Sequence, residues 1–383
     1  MNPRLDAQLG FLTEACRLKQ IDRQNRLQDL SRPENSAEHS WHAALYALVM
    51  LPPGFDPVLR DRAIAMILLH DLVEIDAGDH PIHEDHDPDA IARAERRAAE
   101  RLFGLLPCDQ AQQLRALWDE FETCDTDAAR LAKHMDHVQP IIQAVSPETP
   151  PIDQIAVVRG NLATGRARHL HRDWSDMHLQ VQVLMDNAAL TGSDLSRRIA
   201  FLNEADALKS IYRATRIAGG SRFENSAEHS WHLALYALVL AEHADTGVDI
   251  ARVIRMLLIH DLVEIDAGDA PIFGDYDAAV KEAEEVAAAR RIFGLLPEGQ
   301  AEELLALWLE FEANETADAR FAKALDRFQP PNQNLASGGG SWIDYDVDFE
   351  TISARVGAKI AHGAPVLWDW IAPKIQDFLA TKV

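Results

Sequence analysis

The sequence is poor in cysteine. Cys16, Cys108 and Cys124 are the three in 383 residues, and they form neither a CxxC pair nor a disulfide framework. A reducing, cytoplasmic setting is therefore the expectation. Long apolar runs are missing too: AIAMILL (63–69) stops at His70, far short of the roughly 20 residues that cross a bilayer. The N-terminal MNPRLDAQLGFLTEACRLK carries charges through its apolar stretch and has no small-residue cleavage site, so it does not read as a secretion signal. Positive charge is scarce, with 37 Lys and Arg against 61 Asp and Glu, a formal net charge of −24. No basic run tracks a phosphate backbone, so nucleic acid polymers and anionic membranes are excluded as expected partners. A small anion remains acceptable, because a few local cations override the mean field at one pocket. β-Branched alternation closed by turn pairs, the signature of strands, is nearly absent.

What is present is repetition. ENSAEHSWH stands at 34–42 and again at 224–232, and HDLVEIDAGD (70–79) returns letter for letter at 260–269. GFLTEACRLKQIDRQNRL (10–27) aligns with AFLNEADALKSIYRATRI (200–217), and ARLAKHMDHVQP (129–140) with ARFAKALDRFQP. The offset of 190 residues holds without insertion from about residue 11 to 140, then fails. Such a period is far too long for a solenoid, so the chain reads as two complete domains, 1–192 and 193–383.

Within each copy the apolar spacing is helical, which predicts an all-α protein of two similar lobes. Asn35 is placed to cap a helix, with Glu38 three residues on completing a capping box. PVLRDRAIAMILLHDLVEIDAG reads as one long buried helix ended by Gly78. DAIARAERRAAERLFG and QAQQLRALWDEFE are amphipathic, and TDAARLAKHMDHVQP starts after an Asp/Thr cap and is expected to stop at Pro140.

Four residues per copy recur with types that suit one ion: His39, His70, Asp71 and Asp136, and then His229, His260, Asp261 and Asp326. A lone histidine in an apolar helix is ordinarily a hydrogen-bonded core residue. The joint recurrence is different, because an aspartate inside AIAMILLHDLVEI costs several kcal/mol to bury without a counter-charge. Mixed imidazole and carboxylate donors suit Mn, Fe, Co, Ni or Zn better than Mg or Ca, and one divalent ion per lobe is expected. Glu74, four residues after His70, is placed to orient or move a proton; Asp79 has either that use or a turn-capping one. Arg23 and Arg213, read as lying on the first helix of each copy, are candidates to hold a phosphate. His80, His83 and His86 meet Ala270, Phe273 and Tyr276 in the second copy and so read as a polar loop. His42 and His232 read as hydrogen-bonded neighbours of the site. Two adjacent irons, as in an oxygenase, would need imidazoles that the second copy lacks between His260 and Asp326.

The series LKxIxR, ENSAEHS, HDxxEIxxGD and AKxxD resembles the HD-domain metal-dependent phosphohydrolases, in the branch of the bacterial 5′-deoxynucleotidases, over nearly all of each lobe. The resemblance implies an all-helical domain, one divalent ion on the four residues named in each lobe, and catalytic help from Glu74 and Glu264. It also implies a role for Asp79 and Asp269, phosphate contact by Arg23 and Arg213, and release of phosphate from deoxynucleoside 5′-monophosphates. Members of the branch are commonly homodimers, so the tandem chain looks like two fused subunits, a pseudo-dimer, with further self-association left open. Two departures stand out. Gln24 and Ala214 follow the arginine where the branch usually has Trp, which bears on nucleotide selectivity. GGGSW (338–342) resembles the tail of single-domain relatives and is missing from the first copy, which is expected to bind metal but to handle substrate poorly. The competing class is a non-catalytic, metal-stabilised module that binds a nucleotide or a protein. The cyclic-dinucleotide phosphodiesterase signature GYP is absent, and HDLVEI departs from the HDxxED usual in alarmone hydrolases.

Overall fold

A computed structural model of the chain describes residues 2–80, 87–188 and 190–381. The first copy runs α1 (Pro3–Ala15), β1 (Asp22–Arg26), β2 (Pro33–Asn35), α2 (Ser36–Val49), α3 (Pro57–Leu69), α4 (Glu74–Ala77), α5 (Pro88–Phe103), α6 (Cys108–Thr123) and α7 (Asp127–Val145). Its tail adds α8 (Ile152–Ala163), α9 (Leu170–Asp173) and α10 (Ser175–Met185). The second copy repeats the plan: α11 (Asp194–Ala205), β3 (Tyr212–Arg216), β4 (Phe223–Asn225), α12 (Ser226–Val239), α13 (Ile250–Ile259), α14 (Glu264–Ala267), α15 (Ala278–Phe293), α16 (Glu298–Ala313) and α17 (Ala317–Ala336). A different tail follows, α18 (Ser341–Asp344), α19 (Phe349–Ile352), α20 (Ala358–Gly363) and α21 (Pro365–Ala380). The all-α class is correct. No helix among the described residues is long and apolar enough to cross a membrane.

α2 begins as its sequence predicts. The Asn35 side chain accepts from the Ala37 and Glu38 N–H groups, and Glu38 accepts from the Asn35 N–H (2.8 Å). α7 is capped by Thr126, whose hydroxyl accepts the Ala129 N–H (3.1 Å). Three local expectations are corrected. The short antiparallel ribbons β1–β2 and β3–β4 were invisible to apolar patterning because DRQNR and PEN carry almost no β-branched residues. α7 continues through Pro140 to Val145, since Ile141, Ile142 and Val145 are buried and their packing outweighs the one lost backbone hydrogen bond.

The third correction matters most. The helix expected over 57–78 breaks at the His–Asp pair: α3 ends at Leu69 and His70–Val73 is a 3-10 turn before α4, which Gly78 ends at φ 81°. In the second copy Leu262 N–H bonds to Ile259 O (3.2 Å), so Leu258 O loses its i+4 partner. The Trp41 indole N–H from the other lobe fills the vacancy at 3.0 Å, and Trp231 does the same for Leu68 O at 3.2 Å. Trp118 and Trp308 donate to His70 O (3.2 Å) and His260 O (3.1 Å). Four buried tryptophans thus satisfy carbonyls at the break.

The two lobes meet through reciprocal contacts. α2 packs on α12, Asn35 donates to Glu228 (3.0 Å) while Asn225 donates to Glu38 (2.6 Å), and the Arg32 and Arg222 guanidinium groups reach Lys209 O and Lys19 O. In such an isologous pattern each contact recurs with the roles of the two lobes exchanged.

Candidate metal centre

In the first lobe, α2 brings His39, the 3-10 turn brings His70 and Asp71, and α7 brings Asp136 to one point. His39 Nε2 is 3.1 Å from Asp136 Oδ1 and 3.8 Å from Asp71 Oδ2; His70 Nε2 is 3.1 Å from Asp71 Oδ1 and 3.5 Å from Asp136 Oδ1. The second lobe repeats this geometry. His229 Nε2 lies 3.3 Å from Asp326 Oδ1 and 4.0 Å from Asp261 Oδ2, and His260 Nε2 lies 3.0 Å from Asp261 Oδ1 and 3.9 Å from Asp326 Oδ1.

The donor chemistry fits a divalent cation. His70 Nδ1 lies 2.7 Å from the Ile67 carbonyl and His260 Nδ1 lies 2.9 Å from the Leu257 carbonyl; a carbonyl only accepts, so each Nδ1 carries the proton. Each Nε2 is therefore left to face the carboxylate oxygens, and both buried Nε2 atoms lack a hydrogen-bond partner. A proton or a metal ion must lie between. Without metal the proton serves: burial pushes the His70 imidazolium down, but Asp71 and Asp136 raise it to about 9. Against the upward push of burial, His39 and His70 hold Asp136 well below the carboxylate range, while His260 and Arg213 hold Asp261 at about 2.

The remaining candidates surround this point. Burial, Asp71 and Asp79 push Glu74 well above the usual carboxylate range, and Glu264 is raised in the same way by burial, Asp261 and Asp269. Burial also raises Asp79, with Arg23 opposing and Asp71 adding to the rise. Arg23 and Arg213 lie on β1 and β3, not on a helix: the extended ribbon, anchored beside the capped start of α2, carries them over the site. Arg23 reaches Asp71 Oδ2 at 2.8 Å and Glu74 Oε1 at 3.7 Å; Arg213 reaches Asp261 Oδ2 at 2.5 Å, Glu264 Oε1 at 3.6 Å and Asp269 Oδ1 at 3.9 Å. His80 lines the first lobe's cavity, and His83 and His86 lie outside the described residues.

His42 and His232 stand one layer back and face the other lobe, with Nε2 donating to Leu202 O (3.0 Å) and Leu12 O (2.9 Å). Glu34, His42 and Asp206 also cluster as a cation site would, but the Lys209 ammonium fills it, 2.7 Å from Glu34 and 2.9 Å from His42.

Sequence reasoning missed several supports. Ser36 donates to Glu74 Oε2 (2.5 Å) and Ser226 to Glu264 Oε2 (2.6 Å); the recurring S of ENS was the available signal. Gln139 Oε1 accepts from His39 Nδ1 at 2.7 Å. Lys133 and Lys323, of AKxxD, sit 3.8 Å over Phe121 and Phe311, which pack on His70 and His260.

The pockets differ sharply. The first lobe opens on a cavity of about 1220 Å³, lined by Arg23, Gln24, Asp79, Lys133, His134 and Trp174 among others. The second has one of about 60 Å³ walled by Phe273, Trp342, Tyr345 and Val356.

A sequence profile of the HD domain matches residues 15–178 and again 205–368. The chain belongs to the HD domain family. The 5′-deoxynucleotidase HDDC2 of Mus musculus is 30% identical over 137 residues, 36% of this chain and 67% of that protein, and the Homo sapiens HDDC2 is 30% identical over 36% and 66%. The 5′-deoxynucleotidase hdd1 of Schizosaccharomyces pombe is 26% identical over 35% of this chain and 68% of its own length. The chain thus spans about two thirds of the length of these relatives. A crystal structure described as a predicted metal-dependent phosphohydrolase from Magnetospirillum magnetotacticum MS-1 is 47% identical, covering 49% of this chain and 96% of that one at a TM-score of 0.47. This tandem HD-domain chain is a hydrolase.

Proposed function

We propose that each lobe, taken as 1–192 and 193–383, releases phosphate from small nucleotide-like phosphomonoesters, as the names of its relatives suggest. The observation that carries the reading is the twofold convergence of two imidazoles and two carboxylates beside a buried glutamate. His39, His70, Asp71 and Asp136, and their counterparts His229, His260, Asp261 and Asp326, would hold one Mn, Fe, Co, Ni or Zn ion per lobe. Such an ion supplies Lewis acidity toward a phosphoryl oxygen and lowers the pKa of water.

In the reaction a water oxygen bonds to phosphorus, the P–O ester bond breaks, and the departing oxygen takes up a proton. Glu74 or Glu264 is suited to move that proton: burial raises its affinity for one well above that of an ordinary carboxylate, and the Ser36 or Ser226 hydroxyl donates to its Oε2. Arg23 or Arg213 draws the phosphate toward the site, and Asp79 or Asp269 steadies the arginine. The three free cysteines are in keeping with a reducing, cytoplasmic setting. The reciprocal contacts support reading the chain as two subunits of a dimer fused in one polypeptide.

The test is a phosphate-release screen over nucleoside and deoxynucleoside monophosphates and simple phosphoesters with Mn, Co, Ni and Fe(II). The Asp136→Asn/Asp326→Asn variant should lose both bound ion and turnover. Undiminished turnover in that variant would end the proposal, and an ion-loaded wild type inert on every ester would point to a binding module instead.

A further inference from the structure

Behind each ion site lies a buried ammonium group that comes from the opposite lobe and that the reaction above does not use. Lys209, on the 3-10 turn Asp206–Ser210 of the second lobe, is fully buried. Its Nζ donates to Glu34 Oε1 (2.7 Å) and Gln143 Oε1 (2.8 Å) of the first lobe and to its own Asp206, and lies 2.9 Å from His42 Nδ1. From there a polar chain reaches the site. Gln139 Nε2 donates to Glu34 Oε1 (3.2 Å) and Gln143 Oε1 (2.5 Å), while Gln139 Oε1 accepts from His39 Nδ1 (2.7 Å). Glu34 Oε2, buried and without a hydrogen-bond partner, lies 4.0 Å from the same Nδ1.

The other half is simpler. Lys19 of the first lobe, also buried, bonds Glu224 Oε1 and Gln333 Oε1 (3.1 Å) and lies 2.9 Å from His232 Nδ1. Glu224 Oε2 then faces His229 Nδ1 directly at 3.3 Å. Here the lysine answers one carboxylate, because Cys16 stands where the other network has Asp206.

We infer that Lys19 and Lys209 are positioning residues, each orienting the first imidazole of the opposite lobe's ion site. A hydrogen-bonding carboxylate or amide behind a ligand histidine fixes its tautomer and raises the basicity of the nitrogen that faces the ion. The ammonium keeps that buried carboxylate ionised and aimed, since an unpaired one would take up a proton or turn away. Neither lobe's site is therefore complete without the other lobe. This rests on the metal reading of the site.

The experiment places Lys19→Met in two backgrounds: Asp136→Asn, where the second lobe alone keeps its ligand set, and Asp326→Asn, where the first alone does. Mn²⁺ affinity is measured by calorimetry, with retained metal counted after dialysis. Lys19→Met should weaken Mn²⁺ binding about 10- to 100-fold in the Asp136→Asn background and less than twofold in the other. Lys209→Met should give the mirror image. Lys19→Met acting on its own lobe, on both alike or on neither overturns the inference. Should Lys19→Met not fold, Lys19→Met/Glu224→Gln removes the charge with its partner, and unchanged second-lobe affinity there overturns it equally. A wild-type chain that takes up no ion fails differently, since it removes the metal reading itself and this inference with it.

Discussion

The two lobes hold their candidate ligands in nearly the same geometry, yet His70, Asp71 and Asp136 of the first line a cavity of about 1220 Å³, whereas beside Arg213 and Asp269 of the second lies one of about 60 Å³. The candidate ligands come from the stretch where the repeat is in register, as does much of each wall, and the rest of each wall comes from where it is not. In the second lobe Trp342, Tyr345 and Val356 follow the last aligned residue and close the pocket, with Phe273 against Tyr345 (ring centroids 6.3 Å apart). The first lobe sets α8 to α10 in that place and leaves the space wide. The site's chemistry tolerates little drift, because four donors must converge within ångströms. Its pocket can diverge freely. The expectation that the first lobe handles substrate poorly thus becomes a question of which esters fill a larger cavity.

The strongest way to break the comparison is to silence one lobe at a time. Asp136→Asn or Asp326→Asn should cost the affected lobe roughly 10³-fold in kcat/KM, about 4 kcal/mol of transition-state stabilisation, and should remove its ion. If the pockets differ in function, the Asp326→Asn chain will favour bulkier esters than the Asp136→Asn chain; identical substrate profiles would erase the distinction. Glu74→Gln and Glu264→Gln, each in the chain whose other lobe is silent, should lower kcat about 10²-fold with ion content unchanged. Loss of the ion in those variants would make the glutamates structural.

The ion-free protein offers a pH test. His70 is raised to about 9 in the folded state from about 6.5 unfolded, so its stabilising effect is full below pH 6.5 and fades as pH rises through 9. Urea unfolding of the metal-stripped chain should show up to about 3 kcal/mol of this decline, absent in His70→Gln. The smallest effect is expected at the wall: Trp342→Ala should raise KM about tenfold in the second lobe and leave the first untouched. Equal shifts in both would assign Trp342 to the fold.

Much of this was legible in residue order. The capping box at Asn35 and Glu38, the Thr126 cap and the Gly78 stop are local devices that work through neighbours a few positions apart. The candidate ligand positions stood out by recurring at one offset. The break at His70 was not legible, because AIAMILLHDLVEI favours helix throughout and the carbonyls freed there are satisfied by tryptophans far away in sequence. Pro140 misled for the converse reason: burial of Ile141 and Ile142 outweighed a local prohibition. Arg23 was identified but set on the wrong element, since a two-strand ribbon of polar residues has no apolar period to read.

By itself the sequence determined that the chain is a doubled, all-helical unit carrying two imidazoles and two carboxylates per copy, because duplication and helical period are both written along one dimension. Tertiary structure alone decided that indole donors from across the interface hold open the turn bearing each His–Asp pair, and that a buried lysine of one lobe stands behind the first histidine of the other. It also decided that the two pockets differ in volume. These depend on which distant segments meet, and distance in space is not a property of spacing along the chain.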